Sequence, residues 1–137
     1  LFILLFTSCK QQYDISEIEK HTQIPLKGKV DFIERIDQWD NLQGDGYSLQ
    51  VFNVRKEYQD SILYRIKNLE WRGFNRITNR TLLFDLFDKS FFQPQEKEVM
   101  KYLKDGEGYY KIDNSNDTYL LVMDSINSRF IFIYIHL

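Results

Sequence analysis

The fold is decided by residues 108–137, which read GYYKI (108–112), DNSND (113–117), TYLLVM (118–123), DSINS (124–128) and RFIFIYIHL (129–137). The first, third and fifth of these runs are rich in aromatic and β-branched residues, which favour strands. The two runs between them hold Asp, Asn and Ser, which favour turns. The sequence therefore predicts three strands joined by two antiparallel hairpins, which together form a meander.

Two further strands are predicted in the first half of the chain. Tyr47 to Val54 alternates between one strongly apolar face and one mixed face. Val30 to Trp39 has apolar residues at helical spacing, but its β-branched content and the hairpin that follows favour a strand. Gly44-Asp45-Gly46 supplies two positions that accept positive φ, as a turn between these strands requires.

Helices are predicted between the two groups of strands and ahead of them. Lys56 to Leu69 carries apolar residues at helical spacing with charges between them. Pro94 to Lys104 begins with Pro and acidic residues and ends with Lys, which suits the two ends of a helix. Ser16 and Glu19 have the spacing of a capping box, which favours a short helix over residues 16–22. Residues 81–87 fit either a short helix or a buried strand.

This order of elements predicts an α+β fold with a single antiparallel β-sheet and two or three helices packed on one face. Residues 15–137 have the length of one compact domain. The formal net charge is −2, from 18 basic and 20 acidic residues, so no strong overall field attracts nucleic acid or an anionic membrane surface. The 11 Phe, 9 Tyr and 2 Trp suit the core of a sheet and the cover of its outer face.

The first nine residues differ in character from the rest, because Leu1 to Phe6 is uncharged and apolar and Thr7-Ser8-Cys9 follows. An apolar run of roughly 7 to 15 residues that ends in small residues is typical of a secretory signal. The run is too short to span a bilayer, which takes about 20 apolar residues. We interpret residues 1–8 as the apolar part of a signal peptide whose basic start precedes Leu1, and residues 9–14 as a tether.

Phe6-Thr7-Ser8-Cys9 resembles the lipobox of bacterial lipoproteins, in which the Cys is lipidated and the chain is cleaved before it. The resemblance implies that lipid on Cys9 attaches the protein to a membrane of the cell envelope, and no other thiol would then remain. Lys10 stands where Asp would signal retention at the inner membrane, which favours the periplasmic side of the outer membrane. The alternative is a buried N-terminal strand with an ordinary Cys.

A second resemblance rests on Asp37, on Gly44-Asp45-Gly46 and on Gly108-Tyr109-Tyr110. These positions are similar to those of a family of small, uncharacterised bacterial proteins with a GDG hairpin loop. That family has His-Gly-Gly where this chain has Trp39, Asp40 and Asn41, so any role of the histidine is absent. The resemblance implies the fold and no activity.

The candidate ligand or partner loop comprises Asp37, Trp39, Asp40, Asn41 and Asp45. Its oxygen atoms are of the kind that a hard cation such as Ca²⁺ binds, but their spacing is not that of an EF-hand and such residues are common in turns. We assign no metal to this loop. The Trp39 side chain could stack on a ligand or close the core.

No catalytic or cofactor motif is present in the sequence, and His21 and His136 stand far apart in it. The run from Trp71 to Arg76 interleaves aromatic and cationic residues, as single-strand nucleic-acid platforms do, but the balanced net charge and the export signal argue against that role, and packing of Arg on aromatic rings explains the pattern more simply. We therefore assign no cofactor, no nucleic-acid partner and no enzymatic activity.

The function that the sequence favours is a lipid-anchored envelope protein that binds a protein partner, of which an immunity protein against a toxin is one form. One alternative is a small envelope hydrolase that pairs the carboxylates of Asp37, Asp40 and Asp45. Another is a structural envelope lipoprotein.

Overall fold

The computed structural model describes residues 15–39, 44–74, 95–113 and 117–136. In chain order its elements are α1 (Ile15–Thr22), β1 (Val30–Trp39), β2 (Gly46–Val54), α2 (Lys56–Lys67), β3 (Arg72–Phe74), α3 (Glu96–Leu103), β4 (Glu107–Asp113), β5 (Asp117–Asp124) and β6 (Arg129–His136). The five predicted strands and three predicted helices within these ranges are confirmed. β3 is not among the strands that the sequence predicts. The leader, Cys9, Asp40, Asn41 and residues 81–87 lie outside the described residues.

The strands form one six-stranded sheet in the order β1-β2-β6-β5-β4-β3, and every neighbouring pair is antiparallel. The predicted meander is confirmed as β4, β5 and β6. The N-terminal hairpin of β1 and β2 joins it through β2, which pairs with β6 over eight positions from Gly46↔His136 to Asn53↔Arg129. An α+β fold with a single antiparallel sheet is therefore confirmed for the described part of the chain.

The two faces of this sheet are covered by different helices. On the first, which we call the α1–α2 face, Phe52 and Phe130 pack with Ile18 of α1 and Ile66 of α2. On the second, the α3 face, apolar side chains of the sheet pack with α3, namely Leu49, Val51, Ile131, Ile133, Val99 and Leu103. The prediction of helices on one face thus holds for α1 and α2, whereas α3 lies on the other face. The physical reason is that β2, β5 and β6 are apolar at both alternating sets of positions, so both faces must be shielded from water.

The segment after α1 returns to the sheet because polar groups hold it there. The Glu19 carboxylate accepts hydrogen bonds from the backbone N–H of Leu26 at 2.7 Å and of Lys27 at 3.3 Å. The Thr22 hydroxyl donates to the carbonyl of Ile18 at 2.7 Å. Ile24 and Leu26 are consequently placed in the core, where neither is exposed to solvent.

Helix α3 is attached to the sheet by polar contacts as well as by packing. The Tyr102 hydroxyl donates to the Glu34 carboxylate of β1, and the Arg129 guanidinium lies 5.4 Å from the centre of the Tyr102 ring. Burial and the hydrogen bond to Glu34 raise the pKa of Tyr102 to about 12. Tyr102 therefore stays protonated over the physiological range and keeps donating to β1.

The assignment of α3 to a face of its own predicts a specific stability loss. Leu103 is 1% exposed, so Leu103→Ala should lower the free energy of unfolding by about 2–5 kcal/mol, measured by urea denaturation. The matched control is exposed Lys104→Ala, which should change it by less than about 0.5 kcal/mol. A loss for Leu103→Ala no larger than that of the control would contradict the packing of α3 on the sheet.

Candidate functional site

At one end of the sheet, four neighbouring strands carry polar and aromatic side chains on the α1–α2 face. Further along the same face, their side chains are mainly apolar. The last row across the sheet runs Trp39↔Gly46↔His136↔Asp117. The next row whose side chains lie on the same face runs Asp37↔Ser48↔Tyr134↔Tyr119. We call this surface the aromatic–polar end; it comprises Asp37, Trp39, Ser48, Gln50, Asp117, Tyr119, Tyr134 and His136.

Asp117 is the hydrogen-bonding centre of the aromatic–polar end. One of its carboxylate oxygens accepts a hydrogen bond from the Tyr134 hydroxyl at 2.8 Å and lies 2.7 Å from Nδ1 of His136. The hydrogen bonds from His136 and from Tyr134 lower the pKa of Asp117. Since an ionised carboxylate only accepts, the His136 proton in this contact is on Nδ1, which leaves Nε2 available to another group. Burial and the hydrogen bond to Asp117 raise the pKa of Tyr134 to about 12.

A row of aromatic rings crosses the sheet beside this cluster, from β1 to α1. The Trp39 and Tyr134 ring centres are 6.0 Å apart, those of Tyr134 and Tyr119 are 5.2 Å apart, and those of Tyr119 and His21 are 4.5 Å apart. Trp39 at one end of the row is 37% exposed. It thus both packs on a neighbouring ring and presents a surface to solvent.

Gly46 is what allows Trp39 to lie across β2. A Cβ atom added at Gly46 would be 2.6 Å from Cε3 of Trp39 and 2.1 Å from the carbonyl oxygen of Gln38. Both distances are far below a normal contact, so a larger residue at this position would displace the indole or the backbone. The Gly-Asp-Gly turn therefore serves the aromatic–polar end as well as the hairpin.

Gln50 is a buried polar residue, and one polar atom of its side chain lacks a hydrogen-bond partner in the described structure. It is 3% exposed, and its Nε2 donates to the Ser48 hydroxyl at 2.6 Å. Its Oε1 is buried and has no hydrogen-bond partner in the described structure. A buried acceptor without a partner costs about 1–3 kcal/mol, so this atom is a candidate contact for a ligand or for ordered water.

Lys111 holds the end of α1 against the same face. Its ammonium group lies 5.1 Å from the centre of the Trp71 ring and 5.2 Å from that of Tyr119, and it donates to the His21 carbonyl at 3.2 Å. Burial and the charge of Lys111 lower the pKa of His21. The Trp71 ring is thus in contact with Lys111, which is consistent with a packing role for Trp71.

The structure brings two of the five predicted loop residues, Asp37 and Trp39, into the aromatic–polar end. Nε of Arg35 donates to both carboxylate oxygens of Asp37, at 3.0 and 2.8 Å. Asp45 adjoins this end, and Asp40 and Asn41 lie outside the described residues. Among the described residues, no three His, Cys, Asp or Glu side chains gather into a metal site. The hydrolase and the structural lipoprotein stay predictions.

Sequence reasoning missed Asp117, Tyr134 and His136. The alternation of RFIFIYIH places Tyr134 and His136 on one face, which is a usable signal. The position of Asp117 opposite His136 depends on the register of β5 against β6. The aromatic–polar end can therefore bind by stacking and hydrogen bonding, with Nε2 of His136 and the Trp39 ring as its accessible groups, whereas Gln50 Oε1 is buried and unpaired.

A comparison of the chain with protein-family models finds no match, and comparisons with curated proteins and with solved structures find none either. Within the described residues, no helix has the length and apolar character needed to cross a bilayer.

The low pKa of Asp117 leads to a testable pH dependence. Since its pKa is lower in the folded than in the unfolded chain, the stability that it contributes is present above about pH 4, the unfolded value, and is lost as the pH falls through the folded value. The difference in unfolding free energy between wild type and Asp117→Asn, measured in urea from pH 7 to pH 2, should therefore shrink below about pH 4. Exposed Asp60→Asn is the control. A difference that stays constant to the lowest pH would contradict this role of Asp117.

Proposed function

We propose that this protein is a lipid-anchored envelope protein that binds a protein partner through the aromatic–polar end. The observation that carries the proposal is that this end is both fixed and accessible. Trp39 is 37% exposed and the side chain of His136 is 38% exposed, yet each packs on or hydrogen-bonds a neighbour in the sheet. Groups held in this way lose little conformational freedom when a partner binds them.

The composition of this end supports a protein as the ligand. Trp, Tyr and Arg are the residues that contribute most to binding at protein interfaces, because they combine a large apolar surface with a polar group. Trp39 and the Arg35–Asp37 pair lie on β1 and Tyr134 lies on β6, all on one face of the sheet, with β2 between the two strands. The apolar core residues of β2, β5 and β6 are instead covered by α1, α2 and α3.

The anchor supports an envelope location for that partner. Lipid on Cys9 would hold the chain at a membrane, and α1 begins at Ile15, six residues further on. An extended tether of this length reaches at most about 20 Å. The domain would therefore stay near the bilayer, on the periplasmic side of the outer membrane, and meet partners that work there. An immunity protein that neutralises an envelope-targeted toxin is one form of such a function.

One experiment tests the anchor and the binding surface together. A photoreactive amino acid is placed at position 39, in the aromatic–polar end, or at position 64 on the outer surface of α2, where Tyr64 is 71% exposed. Each chain is produced from the full gene with Cys9 or with Cys9→Ala. We expect the Cys9 chains to sediment with membranes and to carry a diacylglycerol-sized mass, and only position 39 to cross-link to a discrete partner band.

The lipid anchor and the binding surface are tested independently, so either can be disproved without the other. If Cys9 and Cys9→Ala chains are equally soluble and keep the leader, the protein is not lipid-anchored. If position 64 cross-links and position 39 does not, the aromatic–polar end is not the binding surface.

A further inference from the structure

The aromatic–polar end carries a local surplus of carboxylates. Asp113 and Asp117 face each other across β4 and β5, Asp37 lies in the second row of the same end, and Asp45 adjoins Gly46. The basic side chains beside them are Arg35, which binds Asp37, Lys111, whose ammonium lies 3.7 Å from Asp113, and His136, whose Nδ1 lies 2.7 Å from Asp117. Asp45 forms no ion pair with any described residue. Four carboxylates against two permanent cations and one imidazole make this end complementary to a positively charged group.

The aromatic rings favour the same kind of group. The face of an indole or phenol ring attracts a cation, and an Arg guanidinium also stacks flat on it. Trp39 is 37% exposed and stands next to Tyr134, so a cation could lie on this surface without a change in the packing of the sheet. Lys111, between Trp71 and Tyr119, already shows this type of contact within the same face.

The unpaired acceptor of Gln50 is an independent observation that points to a ligand. Gln50 is more than nine-tenths buried, and its amide reaches along β2 to Ser48, which lies opposite both Asp37 and Tyr134. Its Oε1 lacks a donor in the described structure.

Among the common side chains, arginine alone combines a permanent positive charge with a flat surface and five N–H donors. We infer that the aromatic–polar end recognises its protein partner through an arginine, whose guanidinium stacks on Trp39 and donates to the neighbouring carboxylates. The inference rests on the proposed function and names the chemistry of the partner. A lysine offers the charge without the flat surface, so it should bind more weakly at this end.

The test uses Nα-acetyl-arginine amide as the probe and Nα-acetyl-citrulline amide as a neutral control of nearly the same shape. Each is titrated into the folded chain that begins at residue 10, followed by ¹H–¹⁵N NMR of the Trp39 indole and the Gln50 side-chain amide. We expect saturable shifts of both signals with the arginine probe and binding of the citrulline analogue weaker by at least about tenfold. A lysine probe should fall between them.

Two variants make the test specific to this site. Asp45→Asn removes a carboxylate that forms no ion pair or side-chain hydrogen bond with the described residues, so the fold should be unaffected while the arginine probe binds several-fold more weakly. Asp60→Asn, an exposed carboxylate on α2, is the matched control and should leave binding unchanged.

Equal binding of the arginine and citrulline analogues, or no saturable shift of Trp39, would overturn the inference. A partner that cross-links at position 39 and is not displaced by the arginine probe would also overturn it, while leaving the proposed function intact. Arginine binding at Trp39 without any cross-linked partner would instead support the site and contradict the function.

Discussion

The whole structure depends on the pairing of β2 with β6 and on the burial of both faces of these two strands. In β2 every residue except Asn53 is buried, and in β6 the run from Phe130 to Ile133 is buried without interruption. A strand with apolar residues on both faces needs cover on both faces. Helices α1 and α2 supply it on one face and α3 supplies it on the other. The position of every helix follows from this requirement.

At the aromatic–polar end, the α1–α2 face of the sheet no longer consists of apolar side chains that need cover from a helix. Toward the last two rows the side chains on that face change from Phe52 and Phe130 to Ser48, Tyr134 and His136. Hydrogen bonds to Asp117 and contacts between rings then replace apolar packing. A polar network that is nearly complete is rigid, and rigid groups that stay accessible are suited to binding. The unpaired oxygen of Gln50 is the exception to this completeness, and for that reason it points to a ligand.

Local sequence patterns were sufficient to predict the elements and the α+β class. Turn residues and strand-forming runs between 108 and 137 define the meander, and Lys56 to Lys67 has clear helical spacing. The order of elements does not show that the helices cover both faces of the sheet, because the same order fits one covered face; the unbroken apolar run in β6 is the signal for two. β3 was missed because Arg72–Phe74 has little strand character of its own and is a strand only by pairing with β4.

The candidate site was only half predictable for a related reason. Asp37 and Trp39 were identified from the composition of one loop, which is a local property. Asp117 and His136 are 19 residues apart and meet through the register of a hairpin, while Tyr134 reaches Trp39 across β2. The unpaired acceptor of Gln50 depends on where individual atoms lie, and no pattern of residue types shows that.

The aromatic–polar end combines groups fixed by the sheet with groups exposed to solvent, and this exposure can be measured in the complete chain. The most direct test is NMR with a dissolved, uncharged paramagnetic gadolinium complex, which broadens signals according to their exposure. The account predicts strong broadening of the Trp39 indole N–H and weak broadening of the Gln50 side-chain amide and of the Val99 backbone N–H. Protection of the Trp39 indole equal to that of Val99 would show that this end is covered, and would contradict the account.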